Sequence, residues 1–536
     1  MPAPVIALGL DSMNADVLDA WIDAGHLPNL ERLRGRGTYA RQVNGALYRT
    51  ENSWLTFLHG CPPEVSGEWG FQDYDPVHHR IVERSSYAFR NYAPFHALAA
   101  GKRVIAFDFH YGDVVDNVKG LQVFGWGPEG NVATCRSEPP GLLAELVDRH
   151  GYHPLFPDRD CDGSKVLQSY RVPSLYDADA MTSLRDCLVE GTKRRTAIIL
   201  DLMQRGPFDL ALCALNECHI AGHVFWHLSQ QHPLGGLIQG EVAADYLRDV
   251  LAAIDHGIGE IVDAAPAGST VVVFSPHGMQ ANTLDMNSML FLPELLQRWN
   301  SGRAALAEGD PSGPVPPPRM DYRRHWREEL WDLATPYGRT VLESPLVQAG
   351  RGDPLDWLPG HWYRPLWPAM RAFALPGYSD GLIRINVAGR DGESGVPVSA
   401  YSALCDELAE LVGEFTDSRT GKPLVARVLR TRGHPEESGS ALPPADLIVC
   451  WRDDVVTDVV EHPRLGRVGP APYFRSGGHT SEGFCLLVGE GFTPGARIGV
   501  GQTPDLTATL LAMMGVAEQA HVSGYPIARA IDAECA

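Results

Sequence analysis

The stretch Leu210-Ala-Leu-Cys-Ala-Leu-Asn-Glu-Cys-His-Ile-Ala-Gly-His223 joins an apolar run to a pair of histidines. Its first part, Leu210–Leu215, is predicted to be a buried strand, since a short continuous apolar run is typical of one. His219 and His223 follow four residues apart, a spacing that puts both side chains on one face of a helix. The stretch therefore predicts a strand and then a helix that presents two possible metal ligands beyond the strand's end.

Further apolar runs and helical stretches extend this pattern along the chain. Buried strands are predicted at 5–10, 103–107 and 270–274, and long helices at 180–205 and 243–265. Alternating strands and helices predict an α/β fold, with a mainly parallel sheet that carries helices on both faces. In such a fold, ligands bind beyond the carboxyl ends of the strands.

Two later segments add histidines, and an early one adds a carboxylate. His277 lies in Phe274-Ser-Pro-His-Gly278, His479 lies in Ser476-Gly-Gly-His-Thr-Ser-Glu-Gly483, and Asp11 ends the first apolar run. Any single histidine beside a strand is more often a structural residue than a ligand. Several such side chains, delivered in this order to one crevice, instead predict a divalent metal site.

These motifs resemble those of the alkaline phosphatase superfamily, and specifically its type I phosphodiesterase and nucleotide pyrophosphatase branch. The resemblance covers most of the chain and includes Gly9-Leu-Asp11, the turn Arg49-Thr-Glu-Asn-Ser-Trp-Leu-Thr-Phe-Leu-His-Gly60, His223-Val-Phe-Trp-His227 and Ser379-Asp-Gly-Leu-Ile-Arg-Ile-Asn386. It implies an alkaline-phosphatase-like α/β fold. It also implies a metal-dependent phosphoester hydrolase or phosphotransferase of the phosphodiesterase type.

The resemblance assigns site roles residue by residue. Thr50 takes the position of the nucleophile. Asp11 and His277 belong to one metal, which Thr50 bridges, and His223 and His479 belong to the other.

Two positions depart from the family pattern and change the expected metal content. His219 stands where the family has aspartate, so that His219, His223 and His479 form a three-histidine set with an open fourth position. Such a set is a known zinc arrangement and also holds other first-row metals. Pro276 stands where the family has a second aspartate, and proline has no side-chain donor. We therefore expect one firmly bound divalent ion, with zinc as the expected metal, and a second site that is weak or empty.

Weakening of the second site leaves the Thr50 hydroxyl in need of another base. Glu51, Glu217 and His110 are the nearest candidates by motif, and His110 lies in a segment, 107–113, that forms a loop near the active site in relatives. An ordinary packing or surface role is the competing interpretation for each. The predicted catalytic residues are Thr50, Glu217 and His110.

Composition limits the possible partners. The chain has 536 residues, of which 44% are hydrophobic, and a formal net charge of −21. This charge argues against nucleic acids and anionic membranes as partners and favours a small-molecule substrate, here a phosphoester. The 10 cysteines are scattered without a Cys-x-x-Cys pair, so reduced core thiols are expected. No basic leader precedes the first strand, which predicts a cytoplasmic enzyme.

A change in composition near residue 300 predicts an inserted subdomain. Residues 309–318 are rich in proline and glycine, and five tryptophans follow between Trp326 and Trp367. We expect the first part of the catalytic core over 1–299, an inserted cap or substrate subdomain over 300–470, and the C-terminal part of the core over 471–536. The tryptophans either line an apolar substrate site or pack the interior of the subdomain, which is the commoner role.

Three functions are compatible with the sequence. The leading one is the phosphodiesterase-like hydrolase with Thr50 as nucleophile. The alternative is a repurposed enzyme of a specialised biosynthetic pathway that uses a single three-histidine ion for chemistry other than phosphoryl transfer. The third is a binding protein that has lost catalysis. The metal content separates them, at about two, one and no ions per chain respectively.

Overall fold

The computed structural model of the chain describes residues 3–45, 52–70, 72–83, 91–127, 135–156, 172–174, 177–233, 244–309, 312–319, 326–334, 340–351, 358–377 and 379–527. The strands are β1 (Val5–Leu10), β2 (Thr38–Val43), β3 (Gln72–Asp75), β4 (Arg80–Glu83), β5 (Arg103–Phe107), β6 (Lys119–Phe124), β7 (Arg136–Glu138), β8 (Leu210–Leu215), β9 (Thr270–Ser275), β10 (Gly278–Ala281), β11 (Glu308–Gly309), β12 (Ala372–Leu375), β13 (Gly381–Ile385), β14 (Thr416–Asp417), β15 (Val425–Arg430), β16 (Leu447–Trp451), β17 (Val460–His462), β18 (Gly466–Val468), β19 (Gly477–Thr480), β20 (Glu482–Val488) and β21 (Ala496–Gln502). The α-helices are α1 (Ala15–Asp23), α2 (Pro28–Arg36), α3 (Ser53–His59), α4 (Pro63–Ser66), α5 (Leu142–His150), α6 (Ala178–Gln204), α7 (Glu217–Ser229), α8 (Tyr246–Asp263), α9 (Leu292–Ser301), α10 (Trp326–Ala334), α11 (Pro345–Gly350), α12 (Tyr401–Gly413) and α13 (Thr503–Met513).

The strands and helices predicted from the sequence are confirmed, with small changes at their ends. Strands β1, β5 and β8 have the predicted bounds, and β9 is one residue longer. The two long helices each begin after an aspartate that caps the first turn. The Asp177 side chain accepts a hydrogen bond from the backbone N–H of Ala180 at 2.9 Å, and Asp245 accepts one from that of Arg248 at 3.0 Å. These caps satisfy N–H groups that have no partner within the helix.

A nine-stranded sheet forms the centre of the fold, in the order β21-β2-β20-β9-β1-β8-β5-β6-β7. Only β20 and β7 run against the other strands of this sheet, so it is mainly parallel, as predicted. The middle strands β1, β8 and β9 are buried along their whole length, which suits apolar runs without polar alternation. Their carboxyl ends lie side by side.

Helices flank this sheet in two groups. Helix α8 packs against α2, α6 and α7, while α3 packs against α13. Helix α7 starts two residues after β8 ends, so its first turn lies at the carboxyl edge of the sheet. This edge is therefore lined by the loop after β1, the start of α7 and the loop after β9.

The strands between Glu308 and Val468 lie outside the large sheet. They form two four-stranded sheets, with orders β11-β18-β17-β14 and β12-β13-β16-β15. Two small antiparallel sheets complete the described strands, the β3–β4 hairpin and the pairing of β10 with β19. The second of these pairs β19, which contains His479, with the segment that follows β9.

The tryptophans of this region pack inside the protein. Trp362 and Trp367 are fully buried; Trp362 meets Trp331 edge-on at 5.1 Å between ring centroids, and Trp367 stacks on Phe373 at 4.8 Å. Trp357 lies outside the described residues. The interior packing role, rather than an aromatic substrate site, is therefore the one that fits Trp362 and Trp367.

The cysteines and the helix lengths can be compared with the sequence predictions for the described residues. Their eight cysteines are free thiols, and seven of them are buried. None of the helices in this part of the chain is long and apolar enough to cross a membrane.

Candidate metal centre

Helix α7 carries the first two histidines of the site. It begins at Glu217, directly beyond the end of β8, and places His219 and His223 one turn apart on the same face. The two Nε2 atoms lie 2.9 Å apart. The predicted helical spacing is thus confirmed, and the two rings converge on one point.

The pairing of β10 with β19 brings the other two histidines to the same place. His277 immediately precedes β10, and His479 lies in β19 opposite Met279. The backbone of β19 passes very close to α7: a Cβ atom on Gly477 would lie 2.0 Å from the carbonyl oxygen of Gly222. Only glycine permits this approach, which brings His479 to α7.

His219, His223 and His479 form a set that can hold a metal ion. One ring nitrogen of each lies within 4.8 Å of the others, and the ring centroids are 4.6 to 5.1 Å apart. His223 is 2% exposed and His479 is 6% exposed. The Nδ1 atom of His479 has no hydrogen-bond partner among the described residues, although it is buried. A buried, unsatisfied imidazole nitrogen fits a ligand of a metal.

Hydrogen bonds fix the tautomers of the two helical histidines. His219 Nδ1 lies 2.9 Å from Asp11 Oδ2, and His223 Nδ1 lies 2.8 Å from the carbonyl oxygen of Gly477. Both acceptors require a proton on Nδ1, so in a neutral ring the lone pair lies on Nε2, the atom that faces the other histidine. Asp11 and Gly477 thus orient the two rings from behind, as outer partners of metal ligands do.

Burial keeps the imidazoles of His223 and His479 neutral. It lowers the pKa of His223 and of His479 well below the ordinary value, and the positive charge of Arg475 lowers both further. Burial alone would raise the pKa of Asp11, but the neighbouring His219 outweighs it and holds that pKa below its usual range. Near pH 7 His223 and His479 are therefore neutral and Asp11 is ionised, the forms of these side chains that bind a divalent cation.

His277 lies beside this cluster, with its ring centroid 5.0 Å from that of His479. Both of its ring nitrogens meet hydroxyl groups: Nε2 is 2.7 Å from Ser12 Oγ, and Nδ1 is 2.7 Å from Ser53 Oγ. Its Nε2 is also 3.6 Å from Asp11 Oδ1. Burial lowers the pKa of His277 to about 4, although Asp11 opposes this shift.

Ser12 thus stands between the two residues assigned to the second ion. Its hydroxyl lies 3.3 Å from Asp11 Oδ1 as well as 2.7 Å from His277 Nε2. The residue has a φ of 62°, a left-handed conformation that is uncommon without glycine. Pro276 precedes His277 and offers no side-chain donor. Within the described residues, this second position therefore has fewer ligands than the three-histidine set.

Glu217, a predicted catalytic residue, points away from the cluster. Residues two apart on a helix differ in direction by about 200°, so Glu217 and His219 face opposite sides of α7. The Arg195 side chain donates to both Glu217 carboxylate oxygens, at 2.8 and 3.1 Å, and His153 lies 3.2 Å away. Although burial opposes the shift, Arg195 lowers the pKa of Glu217 to about 2. We assign Glu217 a structural role as a fully buried counter-ion in place of the predicted catalytic one.

Of the other predicted catalytic residues and bases, the structure places His110 near the cluster and does not describe Thr50 or Glu51. The His110 ring centroid is 6.2 Å from that of His219, so His110 lies beside the cluster. Thr50 and Glu51 lie outside the described residues. Asn52 and Ser53, which follow them, are buried, and Ser53 reaches His277. The roles of Thr50 and Glu51 therefore stay predictions.

Sequence reasoning missed three residues that hold the site together. Ser12 and Ser53 bind His277, and the Trp54 Nε1–H donates to Asp11 Oδ1 at 2.8 Å. Ser12 follows the candidate ligand Asp11, and Ser53 and Trp54 lie within the predicted nucleophile turn. These positions were the only signal in the sequence, because serine and tryptophan have no metal-ligand spacing pattern of their own.

A mainly parallel sheet whose carboxyl edge carries an aspartate and a histidine cluster defines the class of protein: the fold is that of the alkaline phosphatase superfamily. The chain belongs to the type I phosphodiesterase / nucleotide pyrophosphatase family, whose model matches residues 5–331. The resemblance seen in the sequence is thereby confirmed. No curated protein shows a significant match to the chain.

Three solved structures are similar to the chain at low sequence identity. The alkaline phosphatase PafA is 13% identical, with a TM-score of 0.51 over 98% of both chains. The phosphonoacetate hydrolase of Sinorhizobium meliloti 1021, solved with phosphonoformate, is 16% identical, with a TM-score of 0.47 over 96% of both chains. Murine ectonucleotide pyrophosphatase / phosphodiesterase 5 is 12% identical, with a TM-score of 0.46 over 97% of this chain and 96% of its own. The likeness to PafA extends to the fold alone.

Proposed function

We propose that this protein is a metal-dependent phosphoester hydrolase or phosphotransferase of the phosphodiesterase type, with Thr50 as its nucleophile. Membership of the type I phosphodiesterase / nucleotide pyrophosphatase family supports the reaction class. The clustering of Asp11, His219, His223, His277 and His479 at the sheet edge supports the metal dependence. The substrate in this proposal is a small-molecule phosphoester.

One observation carries the proposal most directly. The Nε2 atoms of His219 and His223 face each other at 2.9 Å, while acceptors hold a proton on each Nδ1. Two lone pairs this close repel each other unless a proton or a metal cation lies between them, and His479 offers a third nitrogen to a metal cation at this point. When bound, a divalent cation such as zinc supplies Lewis-acid stabilisation of the negative charge on a phosphoryl oxygen.

The chain's own residues prepare this site. Asp11 holds the proton of His219 on Nδ1, so that Nε2 stays available as a ligand. Ser12 and Ser53 hold the His277 ring from both sides and fix its orientation. Of the two candidate bases kept in the proposal, Glu51 adjoins Thr50 in the chain and His110 lies beside His219. We propose that one of them accepts the hydroxyl proton of Thr50.

A second candidate function is favoured by the surroundings of His277. Both of its ring nitrogens are engaged by hydroxyl groups, and Pro276 cannot replace the missing carboxylate. A protein that binds one ion through three histidines, and no second ion, fits the alternative of a repurposed enzyme. Such an enzyme carries out a reaction other than phosphoryl transfer. The metal content of the purified protein and its activity on phosphodiesters distinguish the two.

The test is the pair Thr50→Ala and Thr50→Ser, assayed on bis(4-nitrophenyl) phosphate after loading with zinc. We expect Thr50→Ala to lose at least roughly a thousandfold in turnover, because no covalent phosphothreonine can form. Thr50→Ser keeps a hydroxyl and is expected to retain measurable turnover. Elemental analysis should give the same metal content in all three proteins.

Unchanged turnover in Thr50→Ala would overturn the phosphoryl-transfer proposal. Absence of turnover in the wild-type protein, combined with one bound ion per chain, would instead favour the repurposed enzyme.

A further inference from the structure

The two halves of the metal centre differ in how their polar atoms are satisfied. In the three-histidine half, the Nε2 atoms of His219 and His223 face each other, and the buried Nδ1 of His479 has no hydrogen-bond partner among the described residues. A divalent cation would satisfy this half. In the second half, formed by Asp11 and His277, every side-chain nitrogen and oxygen already has a partner within hydrogen-bonding distance.

The Ser12 hydroxyl completes the second half. It lies 2.7 Å from His277 Nε2 and 3.3 Å from Asp11 Oδ1, and these two atoms are themselves 3.6 Å apart. The hydroxyl therefore contacts both of the atoms that an ion shared by Asp11 and His277 would bind. All three side chains are buried. Hydrogen bonds between buried groups are costly to break unless new partners replace them.

The other polar atoms of the second half are also in use. The Trp54 Nε1–H donates to Asp11 Oδ1 at 2.8 Å, and Asp11 Oδ2 lies 2.9 Å from His219 Nδ1. On the far side of the imidazole, Ser53 Oγ lies 2.7 Å from His277 Nδ1. Both carboxylate oxygens and both ring nitrogens are therefore engaged by groups of the protein itself.

Hydrogen bonds fasten the loop after β1 to the end of β9 and the segment after it. The Met13 backbone N–H donates to Ser275 Oγ at 3.1 Å, and that hydroxyl donates to the carbonyl oxygen of His277 at 2.6 Å. Asn14 Nδ2 donates to the carbonyl oxygen of Met279 at 2.7 Å. These bonds lie on both sides of the contact between the serine hydroxyl and the imidazole, and they hold the two groups opposite each other.

The backbone of Ser12 has a conformation that favours glycine. Its φ is 62°, in the left-handed region that residues other than glycine rarely adopt. Such a conformation persists where the surrounding contacts hold it, and here the hydroxyl makes those contacts. Asn117 has a similar φ of 66°, but it is exposed and precedes β6 at the amino edge of the sheet. It offers a matched control position away from the metal centre.

We infer that the Ser12 hydroxyl takes the place of a second ion between Asp11 and His277, so that the centre holds one divalent cation, in its three-histidine half. An ion in the second half would have to break both contacts of the hydroxyl, and Pro276 adds no donor in exchange. One ion also agrees with the side-chain base of the proposed function, because a hydroxyl nucleophile without a second ion gives its proton to another group.

Two variants test whether the hydroxyl excludes the ion. Pro276→Asp supplies a carboxylate and keeps the hydroxyl, whereas Ser12→Gly combined with Pro276→Asp also removes the hydroxyl. Zinc titration followed by native mass spectrometry gives the number of ions and the affinity for each. We expect the double variant to bind its second ion roughly tenfold or more tightly than Pro276→Asp does, because the contacts of the hydroxyl no longer have to be broken. Asn117→Gly combined with Pro276→Asp is the matched control and should behave as Pro276→Asp alone.

The wild-type protein gives a direct test by anomalous scattering at the zinc edge. We expect one peak, in the three-histidine half, and a second peak between Asp11 and His277 overturns the inference. In the titration, a second ion that binds with equal affinity with and without the hydroxyl, or that fails to bind to the double variant, also overturns it. Weaker binding without the hydroxyl would make Ser12 a metal ligand instead.

Ser12→Ala also lacks the hydroxyl and serves in place of Ser12→Gly if that variant does not fold. Because the ions are counted without a substrate, none of these results depends on the phosphodiesterase function.

Discussion

Replacing Asp11 by asparagine tests how this carboxylate serves the metal centre. Asp11 is 1% exposed, and its two oxygens accept from different donors. Trp54 Nε1–H donates to Oδ1 at 2.8 Å, and His219 Nδ1 lies 2.9 Å from Oδ2. Asparagine has the same shape, but it has only one acceptor oxygen and an NH₂ group in place of the other.

Either orientation of the new amide disturbs the site. If its oxygen stays with Trp54, the NH₂ group faces His219 Nδ1 and drives the His219 proton to Nε2, the atom that faces His223. If the amide turns round, the buried Trp54 N–H is left facing another donor. Changes to such outer partners of metal ligands cost about 10–100-fold in metal affinity, which is about 1.4–2.7 kcal/mol.

The assay measures zinc affinity by competition with a chromophoric chelator and zinc stoichiometry by elemental analysis. For Asp11→Asn we expect one ion per chain, as in the wild type, bound about 10–100-fold more weakly. The matched control is Asp454→Asn, at an exposed carboxylate that pairs with Arg452, and it should match the wild-type affinity. An unchanged affinity in Asp11→Asn would refute the tautomer argument. A drop from two ions to one would show that Asp11 is a direct ligand of a second, fully occupied ion.

Two further changes address other parts of the protein. Pro276→Asp is expected to raise the metal content from about one ion per chain towards two, because it adds a carboxylate beside Asp11 and His277. Elemental analysis after dialysis measures this content. A wild-type protein that already holds two tightly bound ions would contradict the prediction. The second change concerns His96, which is 1% exposed and whose pKa burial lowers from 6.5 to about 4. The unfolded chain therefore binds the extra proton as the pH falls from 6.5 to about 4, and the free energy of unfolding should decrease over that window by up to about 3 kcal/mol on account of this residue. His96→Phe should lose this part of the pH dependence in urea denaturation curves, and parallel curves for the two proteins would disprove the assignment.

Much of the fold was predictable from local sequence. The apolar runs at β1, β5, β8 and β9 have no polar alternation, and this pattern alone indicates strands that are buried on both faces. The four-residue spacing of His219 and His223 placed both on one face of α7 for the same local reason.

Other parts of the site depended on contacts between distant segments. Glu217 is two residues from His219 in sequence, yet it pairs with Arg195 on α6 on the opposite side of α7. Helical geometry alone indicates that Glu217 and His219 diverge, but only the packing of α6 shows what Glu217 binds. Ser12 meets His277 across 265 positions of sequence, because β1 and β9 are neighbours in the sheet.

The strand and helix pattern, the family and the histidines that were candidates for a metal could therefore all be predicted from the amino-acid sequence. The strand and helix pattern and the histidine pair of α7 depend on periodicity and spacing, which act over a few residues, whereas the family was identified by the resemblance of its motifs. The folded chain was needed to establish which ring nitrogen of His219 and of His223 faces Asp11 or Gly477, and that Ser12 stands between Asp11 and His277. Those features arise where separate strands and loops meet, and hydrogen-bond geometry at such meetings is set by packing rather than by local sequence.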